Sequence, residues 1–179
     1  MLSQSRAFDT ERRIIIKTSS LYLLSQKLGE VLRKKAWKLA TAESCTGGYI
    51  AQMITAVPDS SHWFERGFVT YSNAAKIEML GVSATTLEEY GAVSVETVKE
   101  MAEGALKHSY AQISVGVSGI AGPGGGYAGK PVGTVCFAMA YADQVKTYRQ
   151  HFSGDRHSVR EASVEFALSQ LYLLVEESL

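Results

Sequence analysis

The 179-residue chain lacks the excess of charge and the cysteine content that mark several classes of protein. It contains only two cysteines and three prolines, and 18 Lys and Arg balance 18 Asp and Glu. Without an excess of positive charge the chain has no net attraction for a polyanion. This disfavours nucleic-acid binding as its main activity. Cys45 and Cys136 are far apart in sequence, so we predict two free thiols in a reducing cytoplasm.

Long hydrophobic runs are also missing from the sequence. A signal peptide needs an apolar run of about 7 to 15 residues, and a membrane span needs about 20. Near the start of the chain only Ile14 to Ile16 form an apolar run, among mixed charges. We predict that residues 1–19 are a loosely ordered extension, with an edge strand at the isoleucines as the alternative, and that residues 20–179 form one domain. A domain of this length buries roughly 70% of its unfolded surface, so it needs no disulfide or structural metal.

The sequence alternates between helical and strand-like patterns, which predicts a single α/β domain with a mixed β-sheet packed with helices. The predicted helices cover residues 20–35, a segment from 49 to 54, segments that begin after 72 or 73 and after 94, and residues 155–176. The predicted strands cover residues 37–43, 67–71, 113–117, 132–141 and 145–152. The third strand is mostly apolar, which favours a central position, and the last two are spaced as an edge hairpin.

Residues 119–129 contain six glycines and Pro123, so they predict a loop. Residues 124–129 fit the string G-x-G-x-x-G, and residues 124–130 fit most of a phosphate-binding P-loop. Both motifs must open a helix, whereas Pro131 and a strand follow here, so we reject both. Two interpretations stay open, a loop that approaches a ligand closely and a plain surface loop.

Ser44 ends a predicted strand and is followed by Gly47, Gly48 and a helix. This order places a hydroxyl beside free helix amides, which can stabilise an oxyanion, and the glycines allow a substrate to come close. The pattern indicates a serine nucleophile, with a helix cap at Ser44 or Thr46 as the alternative. Cys45 is a second candidate nucleophile, but no neighbouring motif supplies the histidine that a thiol usually needs.

A serine nucleophile needs a base, and the four histidines lie in no motif typical of a catalytic triad or a zinc site, so we predict no metal. Lys76 is the alternative base. Its pKa must then be lowered by burial, by nearby positive charge or by the start of a helix, which Ser72 or Asn73 can cap. Tyr71 can pass a proton or hold the lysine in place. The alternative for Lys76 is a solvated surface residue.

The segment 153–156, with the sequence Ser-Gly-Asp-Arg, leads into the helix predicted at 155–176. It offers backbone amides and the Arg156 guanidinium, a combination typical of phosphate binding. The alternative is that Asp155 caps the helix and Arg156 is solvated.

Five motifs together resemble the CinA C-terminal domain family. They are AESCTGG at residues 42–48, GFVTYSN at 67–73, GIAGP at 119–123, KPVGT at 130–134 and FSGDR at 152–156. The resemblance runs from about residue 24 to 176 in the family's order, and it is closest to members without an additional N-terminal domain. No motif of the family matches residues 1–19.

The resemblance implies a cytoplasmic enzyme of NAD salvage that hydrolyses the carboxamide of nicotinamide mononucleotide to nicotinate mononucleotide and ammonia, without a cofactor. It assigns the nucleophile to Ser44, the general base to Lys76 and an assisting role to Tyr71. The residues expected to bind substrate are Cys45, Thr46, Gly47, Gly48, Asn73, Ser118, Gly119, Gly122 and Arg156. We expect a small-molecule nucleotide as the partner, no nucleic acid or membrane, and a homo-oligomer, with a dimer as the guess.

Two other functions stay open at this point. A nucleotide-binding or regulatory domain of the same fold would keep the pocket with little or no turnover, because the surroundings that set the pKa of Lys76 are not visible in a sequence. The second open function is that of an amidase that acts on a different carboxamide.

Overall fold

The computed structural model describes residues 20–178, which contain six helices and five strands. The helices are α1 (20–35), α2 (Tyr49–Thr55), α3 (Asn73–Leu80), α4 (Ala84–Tyr90), α5 (Val95–Lys107) and α6 (Arg156–Glu177). The strands are β1 (Leu39–Glu43), β2 (Phe64–Val69), β3 (Ile113–Gly119), β4 (Thr134–Tyr141) and β5 (Gln144–His151). The predicted extension at 1–19 lies outside the described residues.

The strands form one mixed sheet in the order β2-β1-β3-β4-β5. β1 runs parallel to both β2 and β3, and β4 and β5 follow as an antiparallel pair. Parallel neighbours need crossover connections, which α2 and the group α3 to α5 supply. The predicted α/β class, the central position of β3 and the edge hairpin are confirmed. The carboxyl ends of β1, β2 and β3 meet at one edge of the sheet, where open α/β sheets usually bind ligands.

Helices cover both faces of the sheet and bury two apolar clusters. One cluster joins α1, α2 and α6 to the sheet, and the other joins α3, α4 and α5 to it. α5 packs so close to β3 that a Cβ atom at Gly116 would lie 2.5 Å from the carbonyl oxygen of Val98. Glycine at that position is therefore needed for the contact between helix and strand.

The structure also differs from the sequence predictions in particular elements. β2 begins at Phe64 rather than at residue 67 and ends at Val69, which leaves Tyr71 outside the strand. Gly119 closes β3 instead of belonging to the loop. α4 was not predicted, because its seven residues bury only Leu87 and show no helical period. Within residues 20–178, no helix combines the length and the apolar character needed to cross a membrane.

Candidate active site

Ser44 lies at the carboxyl end of β1, directly after the last residue of the strand. Its backbone amide donates to the carbonyl oxygen of Val117 at 2.9 Å, which fixes it beside β3 at the edge where open α/β sheets usually bind ligands. Its side chain is 8% exposed. The hydroxyl is therefore held in a largely buried place.

Lys76 reaches this hydroxyl from the first turn of α3. Its Nζ atom lies 3.0 Å from Ser44 Oγ and donates to the carbonyl oxygen of Thr70 at 2.8 Å. Ser72 caps the helix, since its Oγ accepts from the amide of Ala75, so the capping prediction is confirmed. Lys76 is 1% exposed, and the alternative of a solvated surface lysine is wrong.

Burial lowers the pKa of Lys76, and the neighbouring Cys45 side chain opposes this with a smaller effect. A lysine with a lowered pKa is neutral in a larger fraction of molecules near pH 7, and only the neutral amine can accept a proton. The site thus joins a hydroxyl to an amine whose surroundings favour the basic form.

Cys45 does not compete with Ser44 as the nucleophile. Its side chain packs into the cluster under α1, α2 and α6, and burial raises the pKa of Cys45 to about 12. A thiol with this pKa is protonated near neutral pH, and the thiolate is the reactive species. Cys45 can therefore offer a substrate only its backbone.

Glu43 organises the start of α2. Its carboxylate accepts three backbone hydrogen bonds, from Gly48 at 3.0 Å, Ile50 at 3.0 Å and Ala51 at 2.9 Å. The alternative that Ser44 or Thr46 caps this helix is wrong, because a buried carboxylate takes that place. Sequence reasoning missed Glu43, although an acid just before a helix N-terminus is a readable signal.

The Glu43 contacts also correct the expectation that the amides at the start of α2 hold an oxyanion, because the amides of Gly48, Ile50 and Ala51 are already occupied. The open donors lie earlier, at the turn itself. Among residues 20–178, the amides of Cys45 and Thr46 donate to no other residue, although the Cys45 amide faces its own thiol, and both directly follow Ser44. An amide one residue after a nucleophilic serine is a common oxyanion donor in hydrolases.

Tyr71 and Arg156 meet on the outer side of the site. Arg156 donates from Nη2 to Tyr71 Oη at 3.0 Å and from Nη1 to the carbonyl oxygen of Gly122 at 2.9 Å. Tyr71 is 62% exposed. Asp155 caps α6 by accepting from Ser158 at 2.8 Å, as the alternative for the segment 153–156 stated, but Arg156 is engaged rather than simply solvated. The structure thus brings Arg156, Tyr71 and the glycine-rich loop together.

The remaining predicted residues are spread around this edge. Ser118 follows Val117 and lies buried next to Ser44, and Gly119 ends the same strand. Asn73 is exposed at the start of α3. Gly47 and Gly48 have φ values of 61° and 92°, which glycine adopts without strain. Thr46 is buried, and its hydroxyl has no partner within the described part of the chain.

Histidines take part in other contacts. His108 Nδ1 lies 2.9 Å from the carbonyl oxygen of Met79, and His157 lies 3.4 Å from Glu161 in an i,i+4 pair on α6. In the range 20–178, no group of three or more His, Cys, Asp or Glu side chains is placed to hold a metal ion.

Arg160 is a second residue that sequence reasoning missed. Its Nη2 atom donates to the carbonyl oxygen of Thr46 at 2.8 Å, and its guanidinium lies 5.7 Å from the centre of the Tyr49 ring. Only the docking of α6 reveals this contact, because 114 residues separate the two partners. The spacing of Arg156 and Arg160, one helical turn apart, is the signal that was available.

Known proteins share this architecture. The nicotinamide-nucleotide amidohydrolase PncC of Enterobacter agglomerans is 57% identical over 149 residues, which cover 83% of this chain and 91% of that protein. The protein of the same name from Escherichia coli K12 is 52% identical over 155 residues, which cover 86% of this chain and 94% of that protein.

Solved structures agree with the sequence relatives. The competence/damage inducible protein CihA from Agrobacterium tumefaciens superposes with a TM-score of 0.84 at 42% identity, covering 87% of this chain and 95% of that one. The CinA superfamily protein KP700603 from Klebsiella pneumoniae superposes with a TM-score of 0.85 at 39% identity, covering 88% of this chain and 98% of that one. The model of the CinA C-terminal domain matches residues 22–175. With this match over most of its length, the chain belongs to the CinA C-terminal domain family.

Proposed function

We propose that the protein hydrolyses the carboxamide of nicotinamide mononucleotide to nicotinate mononucleotide and ammonia, with Ser44 as nucleophile and Lys76 as general base. The distance of 3.0 Å between Lys76 Nζ and Ser44 Oγ, at the ligand-binding edge of the sheet, carries the proposal. The relatives named nicotinamide-nucleotide amidohydrolase, at 52–57% identity, support the substrate.

The first half of the reaction is acyl transfer to the serine. Neutral Lys76 accepts the hydroxyl proton while Ser44 Oγ attacks the carboxamide carbon, and the amides of Cys45 and Thr46 donate to the oxyanion that forms. The Lys76 ammonium then returns the proton to the leaving nitrogen, and ammonia departs. In the second half, water attacks the acyl-enzyme, Lys76 accepts its proton, and Ser44 is released as the hydroxyl.

Arg156 and Tyr71 are proposed to form the nucleotide side of the site. Arg156 has five N–H donors, and its contacts with Tyr71 and Gly122 use two of them, so three remain for a phosphate. Tyr71 assists from the same side, where its phenol can relay the Lys76 proton to the leaving nitrogen. A phosphate held by Arg156 would fix the nicotinamide ring of the substrate and lower the entropic part of the activation barrier.

The cellular setting is part of the same proposal. Two buried, free cysteines fit a reducing cytoplasm, and a homodimer is the commonest assembly for a small enzyme. The pathway is the salvage of pyridine nucleotides, which the proposed substrate and product define. Sedimentation of the purified protein tests the dimer.

Ammonia release from nicotinamide mononucleotide tests the proposed reaction. Ser44→Ala should reduce release at least about 10³-fold, because it removes the attacking atom. Ser25→Ala is the matched control, since Ser25 is a buried serine on α1 whose hydroxyl donates to Leu21. It should keep wild-type turnover.

Two results would change the assignment. Binding of the nucleotide without ammonia release, unaltered by Ser44→Ala, would indicate a binding or regulatory domain. Turnover of other carboxamides that exceeds turnover of the mononucleotide would indicate another amidase, and loss of activity when the phosphate is removed supports the proposed substrate.

A further inference from the structure

We propose that Arg160 is a positioning residue for hydrolysis: by holding the carbonyl of Thr46, it keeps the amides of Cys45 and Thr46 directed at the oxyanion. This inference rests on the proposed function for its substrate, but it concerns a residue that touches no reacting atom. It extends the site from the sheet edge into α6.

The guanidinium of Arg160 is held on two sides. It donates to the Thr46 carbonyl at 2.8 Å and lies against the face of Tyr49 on α2. The side chain is partly buried, where a charged hydrogen bond is stronger than at an exposed site. Arg160 therefore ties α6 to the backbone just beyond the nucleophile.

The backbone that Arg160 holds needs such a tie. Gly47 and Gly48 both adopt left-handed conformations, and a glycine pair of this kind is free to change its dihedral angles. The Gly47 amide donates to the Ser44 carbonyl at 3.0 Å, while the Thr46 carbonyl accepts from Arg160. Both polar atoms of the Thr46–Gly47 peptide are thus fixed, and its plane cannot rotate without breaking one of them.

Glu43 fixes the same turn from its other end, through the amides of Gly48, Ile50 and Ala51. Between these two ties lie the amides of Cys45 and Thr46, which donate to no other residue in the described part of the chain. Arg160 and Glu43 thus leave open the two donors that an oxyanion needs.

Loss of the guanidinium would leave the Thr46 carbonyl with one donor, the amide of Tyr49 at 3.2 Å, in place of two. The Thr46–Gly47 peptide would then be held less firmly, and the adjoining Thr46 amide would be directed less well at the oxyanion. Because the oxyanion exists in the transition state and not in the bound substrate, misdirected amides lower kcat and leave KM nearly unchanged. The positive charge of Arg160 also reaches this turn, where it lowers the pKa of Cys45 against the larger opposite effect of burial.

Three variants test the assignment. Arg160→Met keeps the aliphatic stem and removes donors and charge, and Arg160→Lys keeps the charge with a shorter donor. Arg33→Met is the matched control, because Arg33 donates to the carbonyl of Asp59 at 3.0 Å, away from Ser44. For each we would measure kcat, KM, the melting temperature and the rate at which a fluorophosphonate labels Ser44. In that labelling the Ser44 oxygen forms a P–O bond, the P–F bond breaks, fluoride leaves and the hydroxyl proton passes to Lys76.

Arg160→Met should lower kcat and the labelling rate about 10- to 100-fold, with KM within about twofold of wild type. Arg160→Lys should fall between wild type and Arg160→Met, and Arg33→Met should match wild type. Wild-type kcat in Arg160→Met, or a loss that appears only in KM, would overturn the inference. Where Arg160→Met does not fold, Arg160→Lys decides, and wild-type kcat in that variant would overturn it.

The same measurements separate this inference from the proposed function. Turnover by wild type that is equal in Arg160→Met removes only the role of Arg160. Labelling of Ser44 that depends on Arg160, in a protein that releases no ammonia from the mononucleotide, supports the role and overturns the substrate. A wild-type protein that shows neither turnover nor labelling overturns both.

Discussion

The turn at residues 43–48 and the loop at residues 120–133 are both rich in glycine, and they differ in how they are held. In the turn, Glu43 binds the amides of α2, Arg160 binds the carbonyl of Thr46, and Ser44 is largely buried. In the loop, a Cβ atom at Gly124 would have no neighbour within 4 Å. Glycine content therefore does not locate the catalytic part of this edge.

The turn is fixed at both of its ends, whereas in the loop hydrogen bonds join Ile120 to Gly133 and Tyr127 to Lys130 and leave Gly124 open. Arg156 holds the loop through Gly122, and Lys130 donates to the carbonyl of Tyr90 at 2.7 Å. A site that stabilises developing charge gains most from donors that are fixed before the reaction starts. Substitutions in the turn should therefore cost more activity than substitutions in the loop.

The largest effect is expected at Lys76, the proposed general base beside the turn. Lys76→Met should reduce ammonia release about 10²- to 10⁴-fold with little change in substrate affinity, because it removes proton transfer and keeps a similar side-chain volume. Wild-type kcat/KM should rise with pH through the lowered pKa of Lys76 and then level off, since the neutral amine is the active form. Steady-state rates across pH check both points, and near-normal turnover of Lys76→Met at neutral pH would contradict the assignment.

The pH dependence of the stability of Lys76→Met provides a control for the activity measurement. Because burial lowers the folded-state pKa of Lys76, the unfolded chain binds more protons between the folded and unfolded pKa values, and the stability of the wild type rises with pH across that interval. Below this pH interval, Lys76→Met should be more stable than the wild type. The difference in their free energies of unfolding should shrink as the pH rises through the interval. Each ~1 kcal/mol of gain corresponds to about 2–4 °C in melting temperature.

An intermediate effect is expected where the loop is tied to α6. Arg156→Ala should raise KM for the mononucleotide roughly 10- to 100-fold, because charged hydrogen bonds to a phosphate are lost. Nicotinamide riboside, which lacks the phosphate, should show a much smaller change between wild type and variant. An unchanged KM for the mononucleotide would remove Arg156 from the phosphate site.

The smallest effects compare one glycine from each region. Gly48→Ala should lose about 1–2 kcal/mol of stability, because φ at this position is 92° and its Cβ atom would contact Val69, and turnover should fall several-fold. Gly124→Ala meets open space and should change neither property. Thermal melts and steady-state rates of the two variants check this, and equal losses in both would contradict the distinction between turn and loop.

Much of the fold follows from periodicity and helix caps that are visible in the sequence. Ser72 and Ser94 cap α3 and α5 as their positions predict, and the apolar run at 113–117 forms the central strand. The start of β2 was placed too late, because Phe64 and Glu65 precede the part of the strand that alternates clearly. α4 escaped prediction because a single buried leucine gives no period.

The residue types of the site could be predicted from the sequence, but the hydrogen bonds that hold them could not. The pattern around Ser44 and the start of α3 predicted that a serine and a lysine act together, and the structure places them in contact, while their catalytic roles stay a prediction. The contacts of Glu43 and Arg160 depend on how α2 and α6 dock on the sheet. Such long-range packing is set by many weak apolar contacts that a single sequence does not resolve.

Both guanidiniums that tie this edge together belong to α6, which follows every strand in chain order. During synthesis the serine and the lysine leave the ribosome before the two arginines do. A nascent chain that ends before residue 156 already holds the proposed nucleophile and base and the contacts of Glu43 and Lys130, but it lacks the ties from Arg156 and Arg160. Full hydrolytic competence should therefore arise late in translation, when α6 docks.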